Sequence, residues 1–381
     1  MIYLDYNATS PVAPQVKKAI LPFLENDFGN PSCLYPLGRE AKDALEKARS
    51  QVADLINAKS NEIIFTSGGT ESNNAAIKGI TWALRKRGRH IITSQIEHPS
   101  IIQPCQFLFL EASEFEVTFL PADSYGMVDP ETVKKAIRKD TILISIMHAN
   151  NEVGTIQPIS EIAKIAKEYG ITFHTDAAQS IGKIEVDVEN LGIDLLTIAG
   201  HKLYAPKGIG ALYIRESTPF SPLIHGAYQE MGKRAGTENV GLSVGLGRAC
   251  QLVKEKLKDG EERHLANLRD MLWERLNKEL NIIRNGHPKY CIPNTLHLSF
   301  IGIEGQRLLE TVPEICASTG AACHAGKTTI SHVLSAMGVS KEIANGAVRF
   351  SLGYMTTEEE INKAAELIID ACKKLKIARG S

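Results

Sequence analysis

Three absences narrow what this chain can be before any motif is read. No stretch of about 18 apolar residues occurs, and the start Met1-Ile2-Tyr3-Leu4-Asp5 is neither basic nor followed by an apolar run. Nothing therefore marks the 381 residues for secretion or for a membrane span. Charge of one sign is also missing: 43 Lys and Arg meet 44 Asp and Glu, and no basic run exceeds fragments such as Arg85-Lys86-Arg87. That balance removes the sequence-independent attraction on which nucleic-acid binders depend. The seven cysteines contain no C-x-x-C and cannot all pair, and the eleven histidines contain no H-E-x-x-H. The sequence makes no case for zinc or for a disulfide framework, and a reducing cytoplasm is the expected compartment. What remains, 43% hydrophobic and 23% charged residues, is the balance of a soluble protein with a sizeable core. The length suits two or three domains, or one large α/β domain carrying a smaller one.

Apolar positions Leu37, Ala41, Ala44, Leu45, Ala48, Val52 and Leu55 recur at three- and four-residue steps and predict an amphipathic helix. Strand-like segments follow at 62–66, 90–94, 116–120, 141–147, 171–175, 194–198 and 209–214, most of them separated by a helix-length segment. This alternation predicts a wound, mostly parallel sheet with helices on both faces. From about 239 to 280 the pattern turns into long charged helices. Isolated strands at 295–300 and 348–352 and a closing helix from Thr357 then suggest a smaller α+β domain.

In open parallel sheets ligands bind beyond the carboxyl ends of the strands, so the polar residues just after strand-like segments are the ones to collect. They are Ser67-Gly68-Gly69-Thr70, Glu97-His98, His148 to Glu152, Asp176 to Gln179, and Gly200-His201-Lys202. The Ser67 to Thr70 turn joins a strand to a helix, where free amides favour an anion and glycine admits a phosphate; a plain helix cap would read the same way. Lys202 follows a segment too apolar to be a solvated face. Burial lowers a lysine pKa from about 10.4, and its amine can then condense with an aldehyde; a structural ion pair is the alternative. Asp176, at an earlier strand end, shifts the balance, because a carboxylate beside a pyridinium nitrogen is what pyridoxal phosphate chemistry requires.

His98 could stack on a ring or move protons, or be an ordinary satisfied polar residue. Asn151 and Arg349 could hold an amino-acid carboxylate, the arginine as a two-pronged donor; an edge residue in a salt bridge is the competing reading of Arg349. Cys323 lies in Ser318-Thr-Gly-Ala-Ala-Cys-His-Ala-Gly-Lys-Thr-Thr, a small-residue loop that can move. A thiol with a pKa of about 8.5 is the most nucleophilic side chain available, and the adjacent His324 could raise its thiolate fraction. The other cysteines, at 33, 105, 250, 291, 316 and 372, read as small core residues. The same loop admits a reading of another class, since Ala321-x-x-x-x-Gly326-Lys327-Thr328 fits a degenerate phosphate loop of a P-loop NTPase. That fold needs several parallel strands after the loop, and too little chain follows.

Seven stretches carry a resemblance over nearly the whole length: Tyr3-Leu-Asp-Tyr-Asn-Ala-Thr, Phe28-Gly-Asn-Pro-Ser, Phe65-Thr-Ser-Gly-Gly-Thr-Glu-Ser-Asn-Asn, His148-Ala-Asn-Asn-Glu-Val-Gly-Thr, His174-Thr-Asp-Ala-Ala-Gln-Ser, Gly200-His-Lys and Arg234-Ala-Gly-Thr-Glu-Asn. In this order they resemble the pyridoxal-phosphate cysteine desulfurases, a class V aminotransferase-like group that includes selenocysteine lyases. The resemblance implies a fold-type I α/β enzyme. Its large cofactor domain would span residues 13–255, and a smaller α+β domain would form from 1–12 and 256–381 and carry the Cys323 loop.

By resemblance, Lys202 would hold the aldehyde of pyridoxal 5'-phosphate, Asp176 would face the pyridine nitrogen, Gln179 would bond the ring hydroxyl and His98 would stack on the ring. Gly69, Thr70 and His201 would serve the phosphate, and Thr237 would reach the phosphate of a neighbouring subunit, implying a homodimer with composite sites. Asn151, also beside the cofactor, and Arg349 would grip the substrate carboxylate. Cysteine would become alanine as Cys323 takes its sulfur as a persulfide for delivery to an acceptor or scaffold protein; selenocysteine is the alternative substrate.

Several positions depart from the family pattern. Ala199 replaces a common phosphate-binding serine, Ala205 replaces a glycine, and Ala227-Tyr228 replaces two glycines, where the tyrosine could narrow the site's mouth. Gly320-Ala-Ala-Cys-His is closer to selenocysteine lyases, and the extended tail with which housekeeping members dock a scaffold has no counterpart after the last helix.

Overall fold

The structure, a computed structural model, describes all residues except 112–114, 320–322, 325–326, 329 and 381, with the backbone alone described at 111, 323, 324, 327, 328, 376 and 378–380. A two-residue strand β1 (Ile2–Tyr3) precedes helices Pro14–Glu25 and Pro36–Leu55. Seven strands then form the main sheet: β2 (Ile63–Thr66), β3 (His90–Ser94), β4 (Glu116–Leu120), β5 (Thr141–Ser145), β6 (Thr172–Asp176), β7 (Leu195–Ala199) and β8 (Gly210–Ile214). Their order is β2-β8-β7-β6-β5-β3-β4. Only β8 is reversed: it pairs antiparallel with both β2 and β7, whereas every other pairing is parallel. Six carboxyl ends therefore open on one edge of the sheet. The chain winds one way from β3 to β4 and the other way from β5 to β7, so a topological switch point lies between β3 and β5.

Near-continuous burial of β2, β3, β5, β6, β7 and β8 is what a sheet covered by helices on both faces demands. On one face Ala48, Val52 and Ile56 pack with Leu246, Ala249 and Val253 of helix Val240–Lys258. On the other, Ala76, Ile77 and Ile80 of helix Gly69–Leu84 cover Ile91, Leu143 and Leu212. Proline at the first turn of helices Pro14–Glu25, Pro36–Leu55 and Pro99–Gln106 supplies a preset φ where its missing N–H costs nothing.

A second sheet is built from β9 (Ile282–Asn285), β10 (Thr295–Phe300) and, later in the chain, a strand at Ala347–Ser351, in antiparallel order with β10 central. Two short ladders intervene: β1 pairs parallel with β11 (Ile315–Cys316), and β12 (Cys323–His324) pairs antiparallel with β13 (Lys327–Thr328). The Ala347–Ser351 strand is β14. Ile2 and Leu4 share a hydrophobic core with Leu268, Leu298, Phe350 and Ile368, so the chain start packs with its final third.

Most strand expectations match within one or two residues, and the helix read from Leu37 to Leu55 runs from Pro36 to Leu55. The segment at 141–147 is shorter than read: β5 stops at Ser145, although the Ile146 and His148 amides still donate to the His174 and Asp176 carbonyls of β6. The cysteine expectation needs correction as well. Cys105, Cys250 and Cys372 are buried, but Cys33, Cys291 and Cys316 are only partly so, Cys33 because it sits in the turn before helix Pro36–Leu55. The phosphate-loop reading lacks its fold. Ala321 and Gly326 lie outside the described residues, but after β13 come a five-residue helix, His332–Ala336, and, among the described residues, a single sheet strand, β14, which pairs antiparallel.

Candidate active site

At the carboxyl edge of the sheet a cavity of about 360 Å³ receives a contribution from nearly every strand end singled out in the sequence. Gly69 and Thr70 come from the turn after β2, His98 from the turn after β3 and Asn151 from the segment after β5. Asp176 ends β6 and Gln179 follows it; Ala199, His201 and Lys202 end β7 and begin the next turn. Arg349 enters from β14 of the second sheet, and Asn7 from the chain start.

Lys202 sits deep in this cavity, and its Nζ has no hydrogen-bond partner among the described residues. Burial lowers its pKa, opposed by Asp176 and assisted by Arg349. The amine is thus available as a nucleophile toward a carbonyl carbon. Asp176, 6% exposed, is held rigid: Oδ1 accepts the Ala178 amide at 2.9 Å and Oδ2 accepts Asn73 Nδ2 at 2.8 Å. The ion-pair alternative for Lys202 has no support, since no ion pair between it and any carboxylate occurs among the described residues.

His98 caps helix Pro99–Gln106 with its ring: Nδ1 accepts the Ser100 amide at 3.1 Å and lies 2.7 Å from Ser100 Oγ. Nδ1 is therefore an acceptor, so the proton of the neutral ring resides on Nε2. Burial lowers this pKa from 6.5, with Lys202 and His332 adding to the effect and Asp176 opposing it, so the ring is neutral at pH 7. Asn73 Nδ2 also donates to Ser100 Oγ at 2.8 Å, which ties the His98 cap to the Asp176 carboxylate. Asn73 and Ser100 are site residues that strand-end reasoning missed. Asn73 lies one turn inside helix Gly69–Leu84 and Ser100 is the second residue of helix Pro99–Gln106, and only the helical spacing of Asn73 from the Gly69 turn could have flagged the former.

The Ser67 to Thr70 turn is both a cap and a cradle. Gly68, with φ at +147°, precedes helix Gly69–Leu84, whose first-turn amides lack intrahelical acceptors. A Cβ at Gly69 would stand 3.1 Å from the Ala199 Cβ, so a larger side chain there would crowd the β7 end. Glu71 secures the turn, accepting the Ser67 amide at 2.8 Å and pairing with Arg234 at 2.9 Å. His201 Nδ1 lies 3.2 Å from Thr9 Oγ1, and burial with nearby Lys202 brings its pKa down to about 4.

The salt-bridge reading of Arg349 is met: its Nη2 meets Asp5 Oδ1 at 2.8 Å and its Nη1 donates to the Asn151 carbonyl at 2.8 Å, while its buried Nε has no partner among the described residues. Asn151 keeps its side-chain amide without a partner among the described residues, beside the same cavity. Two predicted residues are not among the described residues that line this cavity. Thr237 is exposed, two residues before the N-cap Asn239 of helix Val240–Lys258. The Cys323 side chain lies outside the described residues; its backbone forms β12. Tyr228, expected to narrow the mouth, does not line the cavity: it is 84% exposed, and its ring lies against Gly232, where a Cβ would come within 2.7 Å of it.

No helix among the described residues is long and apolar enough to cross a membrane. Residues 2–363 match the family model described as aminotransferase class-V. The chain is 50% identical over 98% of its length to the cysteine desulfurase IscS of Dictyoglomus turgidum, covering 95% of that protein. Among solved structures, one described as a NifS-like protein superposes with a TM-score of 0.90 at 38% identity, covering 97% of this chain and 98% of that one. Another, described as SspA in complex with cysteine, gives 0.81 at 38% identity over 92% of this chain and 99% of its own. With matches of this extent added to a fold-type I sheet whose strand ends converge on one cavity, the chain belongs to the class-V aminotransferase family, in its cysteine desulfurase branch.

Proposed function

We propose that the protein is a pyridoxal 5'-phosphate enzyme that converts L-cysteine to L-alanine and passes the sulfur through Cys323. The observation that carries this reading is the cavity in which Lys202, whose amine has no partner among the described residues, and a fixed carboxylate, Asp176, lie together with Arg349. The residues fit the cofactor. Lys202 would bind its aldehyde carbon and Asp176 its ring nitrogen, Gln179 its ring hydroxyl, and the amides and hydroxyl around Gly69 and Thr70 its phosphate, with His201 beside them. Neutral His98 would cover the ring face. Bound there, the cofactor supplies a sink for the electrons of the substrate Cα–H bond.

This chain's residues would do the rest. Arg349, with Nε unused, and the free Asn151 amide would orient the substrate carboxylate. The Lys202 amine, its pKa lowered by burial, would take the Cα proton and return it to the carbon skeleton that becomes alanine. The Cys323 thiolate would attack the substrate sulfur: the new S–S bond forms as the Cβ–S bond breaks, and the electron pair of the broken bond stays with the carbon fragment. Persulfide sulfur would then pass to an acceptor protein. Thr237, exposed on its own chain, would serve the phosphate of a second subunit in a homodimer. The chain would divide into a cofactor domain at 13–255 and a smaller domain from 1–12 and 256–381, and would work in the cytoplasm.

Incubating the purified yellow protein with cysteine and with selenocysteine, and quantifying alanine and released chalcogen, tests the reading. Alanine from cysteine is expected; alanine from selenocysteine alone would assign the other substrate, and alanine from neither would overturn the proposal.

A further inference from the structure

Behind the cavity lies a second lysine that the reaction does not use. Lys183 is buried, yet no carboxylate forms an ion pair with it among the described residues. Its Nζ donates instead to two neutral oxygens, Gln179 Oε1 at 2.8 Å and Asn7 Oδ1 at 2.9 Å. An amine can only donate to these oxygens, and the Asn7 backbone carbonyl, 3.1 Å from Gln179 Nε2, can only accept. The two contacts together leave one orientation for the Gln179 amide, with its oxygen spent on Lys183 and its nitrogen turned toward Asn7 and bearing one further N–H.

Asn7 is fixed by the same amine. Its Oδ1 also accepts Asn294 Nδ2 at 3.1 Å, while its Nδ2 donates to Thr295 Oγ1 at 2.8 Å and reaches the Asn151 carbonyl at 3.4 Å. That carbonyl is the one bonded by Arg349. One amine therefore braces both the Gln179 wall of the cavity and the Asn151–Arg349 wall, and joins the chain start to the second sheet. Burial lowers the Lys183 pKa well below its ordinary value, and both oxygens that its Nζ meets are neutral acceptors.

We propose that Lys183 is a positioning residue, which sets the amide orientation of Gln179 and so the donor this wall offers to the cofactor. The inference rests on the cofactor reading above. It is tested by a double-variant cycle in which pyridoxal 5'-phosphate affinity of the apo-protein is read by absorbance and fluorescence, without turnover. Lys183→Met, similar in volume and lacking both donors, should weaken affinity roughly tenfold, the size of one or two buried hydrogen bonds. In a Gln179→Ala background the same change should cost less than about threefold, because the amide it orients is gone. An affinity within twofold of the parent, or an equal loss in both backgrounds, would overturn the proposal and mark Lys183 as a scaffold residue only. Should Lys183→Met lack the parent's far-UV spectrum, Lys183→Leu, which also lacks both donors, is carried through the same cycle under the same criteria. Failure of the parent protein itself to bind the cofactor would instead overturn the function reading.

Discussion

Replacing Arg49 by methionine isolates the contact that holds the segment leading to Thr237 against the main sheet. Arg49, in helix Pro36–Leu55, grips Glu230 with two bonds, Nη1 to Oε2 at 2.6 Å and Nη2 to Oε1 at 3.0 Å, and both side chains are at most 5% exposed. Nη1 also reaches the Ile63 carbonyl at 2.8 Å, and Glu230 Oε2 accepts the Phe65 amide at 2.9 Å, so the pair clamps β2 just before the Ser67 to Thr70 turn. Arg49→Met leaves the Glu230 carboxylate buried without its countercharge, a loss of about 3–5 kcal/mol by comparison with other severed buried pairs. Substituting both members removes the orphaned charge, so Arg49→Met with Glu230→Gln should recover at least half of that loss. Urea unfolding followed by far-UV circular dichroism reads both. A loss below about 1 kcal/mol in the single variant, or a double variant that loses the sum of the two single changes, would refute the reasoning.

Further predictions concern the site and its titration. Lys202→Ala should abolish the covalent cofactor absorbance while leaving the fold intact; a normal Schiff-base spectrum in that variant would remove Lys202 from its role. Asn73→Ala should free both the His98 cap and one oxygen of Asp176, weakening the cofactor ring contacts and costing roughly 1–3 kcal/mol of stability, as read by cofactor affinity and urea midpoint together. On acidification, His148, His174 and His201, each lowered to about 4 by burial, bind protons in the unfolded chain before they do so in the folded one. Their stabilisation is full above about 6.5 and is lost as pH falls through 4. Glu97, raised to about 8 by burial, acts in the opposite sense: its contribution is present below 4.5 and is lost as pH rises through 8. These imidazoles, joined by His297, which burial lowers to about 3, outweigh Glu97, so the urea midpoint should fall from pH 6.5 to 4.5, and a flat midpoint would contradict this. Glu97→Gln, which keeps the oxygen that accepts Ser94 Oγ and the Met147 amide, should reduce the loss of stability above pH 8.

The parts of this fold that were legible in the sequence are those with local causes. β3 is legible to the residue because its apolar run ends at Ser94, and β4 because Glu116 and Pro121 bound its run, and the carboxyl-end rule then gathers Gly69, His98, Asp176 and Lys202, which do meet. Reversal of β8 was not legible, because periodicity carries no strand direction and β8 is as apolar as its parallel neighbours. Asn73, Ser100, Asn7 and Lys183 escaped notice for another reason. Each has a partner at least 27 residues distant along the chain, as far as 288 for Asn7, and a polar residue inside a helix or a buried turn reads locally as ordinary until those partners are placed.

In the proposed reaction, sulfur leaves cysteine for one particular thiol. The measurement that reaches it most directly is a single turnover of the yellow protein with limiting cysteine, quenched with an alkylating reagent and analysed by peptide mass spectrometry alongside alanine. The account predicts one extra sulfur on the Cys323 peptide for each alanine formed, and neither persulfide nor sulfur release in Cys323→Ser with its cofactor still bound. Alanine formed with the extra sulfur on another cysteine, or undiminished turnover by Cys323→Ser, would contradict it.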